Sequence, residues 1–133
     1  MPIVYRVVHS LCLVVARAEG DLSDEDIWKY QYEVWSREDV RGYNEIIDMS
    51  MVGTVVMKST DRMRELVSVS AQMDPVAEES RFAIVAPQDH VFGLARMFQA
   101  YRELDQRSTK LVGVFRAMKD ALEFLRIPSL PEV

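Results

Sequence analysis

The sequence has a single cysteine, Cys12, so no disulfide bond can form within the chain. Cys12 lies in an apolar run, residues 11–15, where we expect a buried and unreactive thiol. No apolar stretch approaches the ~20 residues that span a bilayer, and the first residues lack the pattern of a signal peptide. These absences predict a cytoplasmic protein with no membrane-spanning segment.

Glycine and histidine are also scarce, and their scarcity argues against several kinds of active site. The five glycines form no phosphate-binding loop, and no GxSxG nucleophile motif occurs. The two histidines, His9 and His90, are too few for a zinc-ligand cluster with a lone cysteine, and we interpret both as surface or capping residues. We predict no catalytic residue, no cofactor and no metal site.

Positive charge is scarce relative to negative charge. The net charge is −5, and the arginines are scattered along the chain. Binding to nucleic acid usually requires a basic surface, because much of the affinity comes from neutralising phosphates. We therefore expect no nucleic-acid partner.

Hydrophobic residues make up 49% of the 133-residue chain, which is enough for the core of one domain. Segments with strand character alternate with segments of helical periodicity. The predicted strands are 3–9, 11–18, 42–49, 81–86 and 111–115. The predicted helices start near Leu22, at Ser59 or Thr60, near Pro87, and at Ala117. Residues 50–57 are compatible with either an extended segment or a loop.

This alternation predicts an α/β domain with a mixed, mostly parallel five-stranded sheet and about four helices. Ser23, followed three residues later by Asp26, is typical of a capping box at the start of the first helix. Pro75 is expected to end the second helix. We assign residues 1–127 to the domain and 128–133 to a C-terminal tail.

Polar residues at the expected strand ends are the first candidates for a site. Asp48 and Ser50 follow the third predicted strand, Pro87 and Gln88 follow the fourth, and Arg116 follows the fifth. In parallel α/β sheets, ligands bind at the carboxyl ends of the strands. The alternative is that these side chains only satisfy the amides of the loops.

Ser59 and Thr60 stand at the expected start of the second helix. A hydroxyl group there meets free backbone N–H groups and the positive end of the helix dipole. A phosphate attached to it would be stabilised, so the pair is a candidate phospho-switch or partner-binding site. The alternative is simple N-capping.

The first helix carries more aromatic side chains than one buried stripe requires. Trp28, Tyr32 and Trp35 form a second stripe beside Ile27 and Tyr30. A wide apolar face predicts contact with a ligand or with another chain, including a second copy of this one. The alternative is a helix sunk deep in the core.

Several segments are similar to one known family: residues 20–26 to its turn from second strand into first helix, 46–49 to its third strand, 81–86 to its fourth, and 117–125 to its closing helix. The chain as a whole resembles the SpoIIAA-like family, small bacterial proteins related to the STAS domains of anti-sigma-factor antagonists. The resemblance implies a STAS-like α/β fold.

In the antagonists, a partner kinase phosphorylates a serine at the start of the second helix, and this modification switches binding. The resemblance implies that role for Ser59 or Thr60, with a kinase and a phosphatase as partners. Lys58 stands where the family usually has Asp, and no glycine follows.

We therefore predict a non-enzymatic regulatory domain that binds a protein partner or a second copy of itself. The first alternative is a carrier of a small molecule or lipid, with a pocket lined by Trp28, Trp35 and methionines. An enzyme of unknown type is the least favoured alternative, because the sequence contains no recognisable catalytic constellation.

Overall fold

The computed structural model describes residues 2–73, 79–105 and 110–133. Within these residues, five strands form one sheet in the order β1-β2-β3-β4-β5. The β1–β2 pair is antiparallel, and the other three pairs are parallel. The strands are β1 Ile3–Val8, β2 Leu13–Ser23, β3 Asn44–Val56, β4 Ser80–Val85 and β5 Lys110–Phe115. The helices are α1 Asp24–Trp35, α2 Thr60–Met73, α3 Asp89–Leu104 and α4 Met118–Leu125. The predicted mixed α/β fold is confirmed.

Helices cover both faces of the sheet. Successive side chains of a strand point to opposite faces, so one strand contributes side chains to two separate clusters. Val14 and Ala16 of β2 pack in the cluster that contains the buried side chains of α1, α2 and α3. Leu13 and Val15 pack in a second cluster with Ala121 and other residues of α4. The inner strands are therefore apolar on both sides, as expected in the middle of a parallel sheet. In the described ranges, none of the helices is both long and apolar enough to cross a membrane.

The start of α1 is fixed by the predicted capping box, which is confirmed. The hydroxyl of Ser23 accepts a hydrogen bond from the backbone N–H of Asp26 at 3.2 Å, and Asp26 Oδ2 accepts one from the Ser23 N–H at 2.9 Å. The prediction that the helix opens near Leu22 is wrong, because β2 stays paired with β3 as far as Ser23. Gly20, at φ +71°, lies at the irregularity in this pairing.

Two further expectations from the sequence are wrong. Residues 50–56 belong to β3, which is paired along its whole length to β2, so Asp48 and Ser50 do not end that strand. Cys12 is exposed, because a 3-10 turn at His9–Leu11 separates β1 from β2 and Cys12 follows it at φ +48°. Pro75 lies outside the described residues.

Candidate functional site

A cavity of about 90 Å³ lies between the sheet and helices α1, α2 and α3. Most of its wall consists of apolar side chains from the sheet and all three helices. The wall includes four methionines, Met49, Met57, Met63 and Met73. Methionine is unbranched and flexible, so a wall rich in methionine can adjust to the shape of a bound molecule.

One end of the cavity is lined by a buried polar cluster: Tyr30, Glu45 and Lys110. The Tyr30 hydroxyl donates a hydrogen bond of 2.6 Å to Glu45 Oε2, and Lys110 Nζ lies 3.9 Å from Glu45 Oε1. The Lys110 ammonium also stands 3.8 Å from the ring centre of Trp35. Buried charges are tolerated when they are paired in this way, so the cluster is internally compensated.

The protonation of Tyr30 follows from its surroundings. Burial, together with the neighbouring Glu45 carboxylate, holds the pKa of Tyr30 well above its usual value. The Trp35 indole beside the phenol has a smaller, opposite effect on this pKa. Tyr30 is therefore a protonated donor to a charged acceptor, which is among the stronger kinds of hydrogen bond.

One polar atom at the cavity wall is not compensated. Among the described lining residues, Gln31 Oε1 is buried without a hydrogen-bond partner, whereas the Trp35 indole is directed at the Tyr30 hydroxyl and lowers the pKa of Tyr30 through that contact. Gln31 is only 7% exposed, and both residues line the cavity. A buried polar atom without a partner costs about 1–3 kcal/mol. The Gln31 amide oxygen is therefore an unpaired acceptor beside the cavity.

The predicted aromatic stripe of α1 divides into an inner and an outer part. Trp35 packs against the core and lines the cavity. Contrary to the predicted pocket, Trp28 does not line the cavity. Its ring packs against the Tyr32 ring with 5.1 Å between centres, and the Arg62 guanidinium lies 4.7 Å from the centre of the Trp28 ring. Tyr32 is 46% exposed. Trp28 and Tyr32 therefore form an outer surface that is separate from the cavity.

Ser59 and Thr60 are exposed at the start of α2. The Ser59 hydroxyl accepts a hydrogen bond from the backbone N–H of Arg62 at 3.1 Å, and the Ser59 carbonyl accepts one from the backbone N–H of Met63 at 3.2 Å. Ser59 therefore caps the helix, as the simpler interpretation of the sequence predicted. Its hydroxyl group also lies at the surface.

Asp48 and Ser50 do not reach the cavity. Asp48 Oδ1 accepts a hydrogen bond from the Ser50 N–H at 3.0 Å. Asp48 lies in a groove with Arg17 and the C-terminal residues 130–133. By strand alternation, it shares the α4 face of the sheet with Ile46. The structure therefore places Asp48 on the face opposite the cavity.

The other candidates at strand ends do meet, and their donor groups bind neighbouring oxygen atoms, whereas Gln88 Oε1 is buried without a partner among the described residues. Gln88 Nε2 donates to the carbonyl groups of Met49, Ser50 and Val52, at 2.7–3.1 Å. Arg116 Nη1 donates to the Pro87 carbonyl at 3.1 Å and to Asp89 Oδ1 at 2.7 Å. These contacts tie the loops after β4 and β5 to β3 and α3, which matches the structural alternative.

Both histidines are exposed, as the sequence indicated. His9 Nδ1 lies 2.8 Å from the Tyr43 hydroxyl, and His90 Nε2 accepts a long hydrogen bond of 3.5 Å from the Val55 N–H. Neither residue is among those that line the cavity.

Sequence reasoning missed the residues at the polar end of the cavity, although two patterns could have found them. Gln31 occupies a position on the apolar stripe of α1, four residues after Ile27. Glu45 precedes Ile47 and Met49 by two and four residues in β3, so it points to the same buried face. A polar residue at a core-facing position is the signal in both cases.

No protein-family model and no curated protein matches the chain. Among solved structures, it is similar to an uncharacterized protein of the DUF3478 family with a SpoIIAA-like fold, from Shewanella loihica PV-4. The two chains are 15% identical, and the alignment covers 92% of this chain and 93% of that one with a TM-score of 0.58. The chain therefore has the SpoIIAA-like fold that the resemblance implied.

Proposed function

We propose that this protein binds a small apolar or amphipathic molecule in the cavity between the sheet and helices α1 to α3. The observation that supports the proposal is an apolar cavity with a buried polar cluster at one end, which is the usual composition of a small-molecule site. This is the carrier function that the sequence left as the first alternative.

The composition of the wall suits an occupant of variable shape. The side chains of its four methionines are flexible, so they can move to admit a molecule larger than a cavity of about 90 Å³, such as 1-hexanol.

The fluorescence of Trp35 provides a direct test. The chain has two tryptophans, so Trp28→Phe leaves Trp35 as the only indole, at the wall of the cavity. We expect titration with 1-hexanol to change its emission saturably. Ala95→Leu, which extends a lining residue of α3 into the cavity, should abolish the change.

The matched control is Ala100→Leu, which adds the same side chain to an exposed position of the same helix and should leave the titration intact. A response that Ala95→Leu and Ala100→Leu both retain would refute binding in the cavity.

A regulatory role through a protein partner is the second candidate function. It is supported by the exposed hydroxyl groups of Ser59 and Thr60 at the start of α2, beside Val56, an apolar side chain that is 59% exposed. A kinase would reach these hydroxyl groups, and a partner would find apolar surface next to them. Self-association through the outer surface of Trp28 and Tyr32 stays a prediction. A cytoplasmic location also stays a prediction.

The intact mass of the protein isolated from its own host tests this second function. A phosphate increment that maps to Ser59 or Thr60 would support the switch. Protein that lacks this increment both when the host's kinases are active and when they are inactive would count against the switch.

A further inference from the structure

We infer that the outer face of α3 is a self-association surface, on which α3 of a second copy of the chain packs antiparallel around a two-fold axis. The surface, called here the α3 stripe, consists of Gly93, Met97, Ala100 and Leu104. The opposite face of the helix is buried, and three of its residues, Val91, Ala95 and Phe98, line the cavity. The α3 stripe is therefore separate from the cavity, and the inference does not depend on the proposed function.

The α3 stripe carries no charge, although it points directly away from the core. Its residues recur at intervals of four, three and four, the spacing of the seam between two paired helices, and all are exposed. Leu104 is 78% exposed and Met97 is 39% exposed. In α2, by contrast, exposed positions carry Asp61, Arg64 and Glu65, as is usual for a helix at a protein surface. A continuous apolar face of this kind indicates contact with another helix.

Gly93 is not required by the fold of a single chain. Glycine inside a helix costs about 1 kcal/mol relative to alanine. A Cβ atom at Gly93 would meet no described atom within 4 Å, and the backbone there does not have a positive φ. Neither packing nor backbone conformation within one chain therefore explains the glycine. The close approach of a second helix does explain it, because the missing side chain leaves room for a large one.

The antiparallel arrangement fits the α3 stripe onto itself. When Met97 of one chain lies opposite Ala100 of the partner subunit, Gly93 of the first chain lies opposite Leu104 of the partner subunit. The two-fold axis repeats both contacts, so each end of the helix pair joins a glycine to a leucine. The most exposed apolar side chain of the stripe then fills the space beside its smallest residue.

The charges beside the α3 stripe are complementary in the same arrangement. Arg96 and Glu103 flank one side of the stripe, and among the described residues neither has an ion-pair partner. They are about two helical turns apart, too far to pair within one chain. In the antiparallel pair, Arg96 faces Glu103 of the partner subunit, and symmetry makes this contact twice. A parallel pair would place Arg96 beside Tyr101 of the partner subunit and form neither ion pair.

Sedimentation equilibrium of the full chain tests the inference. One helix face is a small interface, so we expect a weak and reversible dimer. Leu104→Glu should weaken the dimer at least about tenfold, because it buries a charge in the apolar contact. Leu111→Glu is the matched control and should leave the dimer intact. Leu111 is 55% exposed, and strand alternation from the buried Val112 places it on the face of the sheet away from α3.

Two further variants test the proposed geometry. Arg96→Glu should weaken the dimer about three- to tenfold, because it places like charges together twice. The double variant Arg96→Glu/Glu103→Arg should restore the affinity of wild type, since it forms both ion pairs again with the signs reversed. Circular dichroism checks that each variant is folded.

Gly93→Ala separates the single chain from the dimer. It should raise the thermal stability of the dilute monomer, because alanine favours a helix more than glycine does, but it should weaken the dimer by filling the space for Leu104 of the partner subunit. A variant that gains stability and keeps the affinity of wild type would overturn the close contact at Gly93.

Three other results would overturn the inference. The first is a chain that stays monomeric at concentrations up to about 1 mM, where even a weak dimer would form. The second is a double charge variant that binds no more tightly than Arg96→Glu. The third is a dimer that Leu104→Glu leaves intact and Tyr32→Glu disrupts, which would assign self-association to the outer surface of α1. None of these results bears on the titration with 1-hexanol, so the proposed function is tested separately.

Discussion

The two faces of the sheet are packed with different chemistry. On the α4 face, the cluster around Leu13, Val15 and Ala83 consists of apolar side chains that are almost completely buried. On the other face, the core under α1 to α3 contains a cavity, methionines in its wall and the buried Glu45. Because both faces belong to the same strands, the difference is not a general looseness of the fold. It shows that polar burial and incomplete packing coincide at one place.

Removal of the Glu45 charge should have the largest effect on the stability of the cavity face. Glu45→Leu removes the carboxylate that lies 3.9 Å from the buried Lys110 ammonium and that accepts the hydrogen bond of the Tyr30 hydroxyl, so we expect a loss of about 3–5 kcal/mol in the free energy of unfolding by urea. The double variant Glu45→Leu/Lys110→Leu should recover most of the loss, since it removes both charges. A double variant no more stable than Glu45→Leu would contradict the pairing.

Truncation of one buried side chain on each face should show how closely that face is packed. Leu13→Ala removes a side chain that is 1% exposed in the closely packed cluster, and should cost about 3 kcal/mol or more. Met49→Ala removes a side chain that already borders the cavity, so fewer contacts are lost and about 2 kcal/mol is expected. Urea unfolding of both variants measures the difference. Equal losses would mean that the two faces are packed alike.

Tyr30 gives the cavity face its own dependence on pH. Tyr30→Phe removes the hydrogen bond to the Glu45 carboxylate, and should cost about 2 kcal/mol at neutral pH. The raised pKa of Tyr30 means that its contribution is complete below pH of about 10, the ordinary value for tyrosine, and is lost as the pH rises toward the folded-state pKa.

Between about pH 9 and 11, the range in which free tyrosine ionises, wild type should therefore lose stability more steeply with rising pH than Tyr30→Phe does. Parallel curves for the two proteins would show that Tyr30 ionises normally in the folded state.

The smallest effect concerns a region outside both faces, the start of α2. Ser59→Ala removes the cap on the Arg62 N–H, and should cost about 1 kcal/mol by thermal unfolding, whereas Ser59→Asp restores an acceptor and should stay near wild type. Neither variant should alter binding of 1-hexanol, because Ser59 does not line the cavity. A Ser59→Asp protein that loses hexanol binding would link the two candidate functions.

Local signals in the sequence were sufficient for the architecture. The apolar segments gave the strands in the correct order, and Ser23 with Asp26 fixed the start of α1. Where local signals failed, pairing between distant residues decided the structure. Gly20 indicates a turn, but β2 continues through it because β3 lies alongside as far as Val56. Cys12 belongs to an apolar run, but the turn before it brings it to the surface.

The site was only partly predictable. Trp28, Trp35 and methionines were proposed as pocket residues; Trp35 and four of the eight methionines line the cavity, whereas Trp28 does not. Strand alternation would have placed Glu45 on the same face, but nothing local pairs it with Lys110, which lies 65 positions away and follows two further helices. A cavity depends on how side chains from β3 and three helices fit together, and that fit is not encoded in the periodicity of any one segment.

The methyl groups of the eight methionines offer the most direct test of the central claim, that the cavity binds a small molecule. In a protein labelled with ¹³C at these methyl groups, titration with 1-hexanol should shift the signals of Met49, Met57, Met63 and Met73, which line the cavity, along one saturable curve. Met51 and Met97, which are 64% and 39% exposed, should stay in place and serve as internal controls. Shifts confined to the exposed methionines, or shifts that never saturate, would contradict the account.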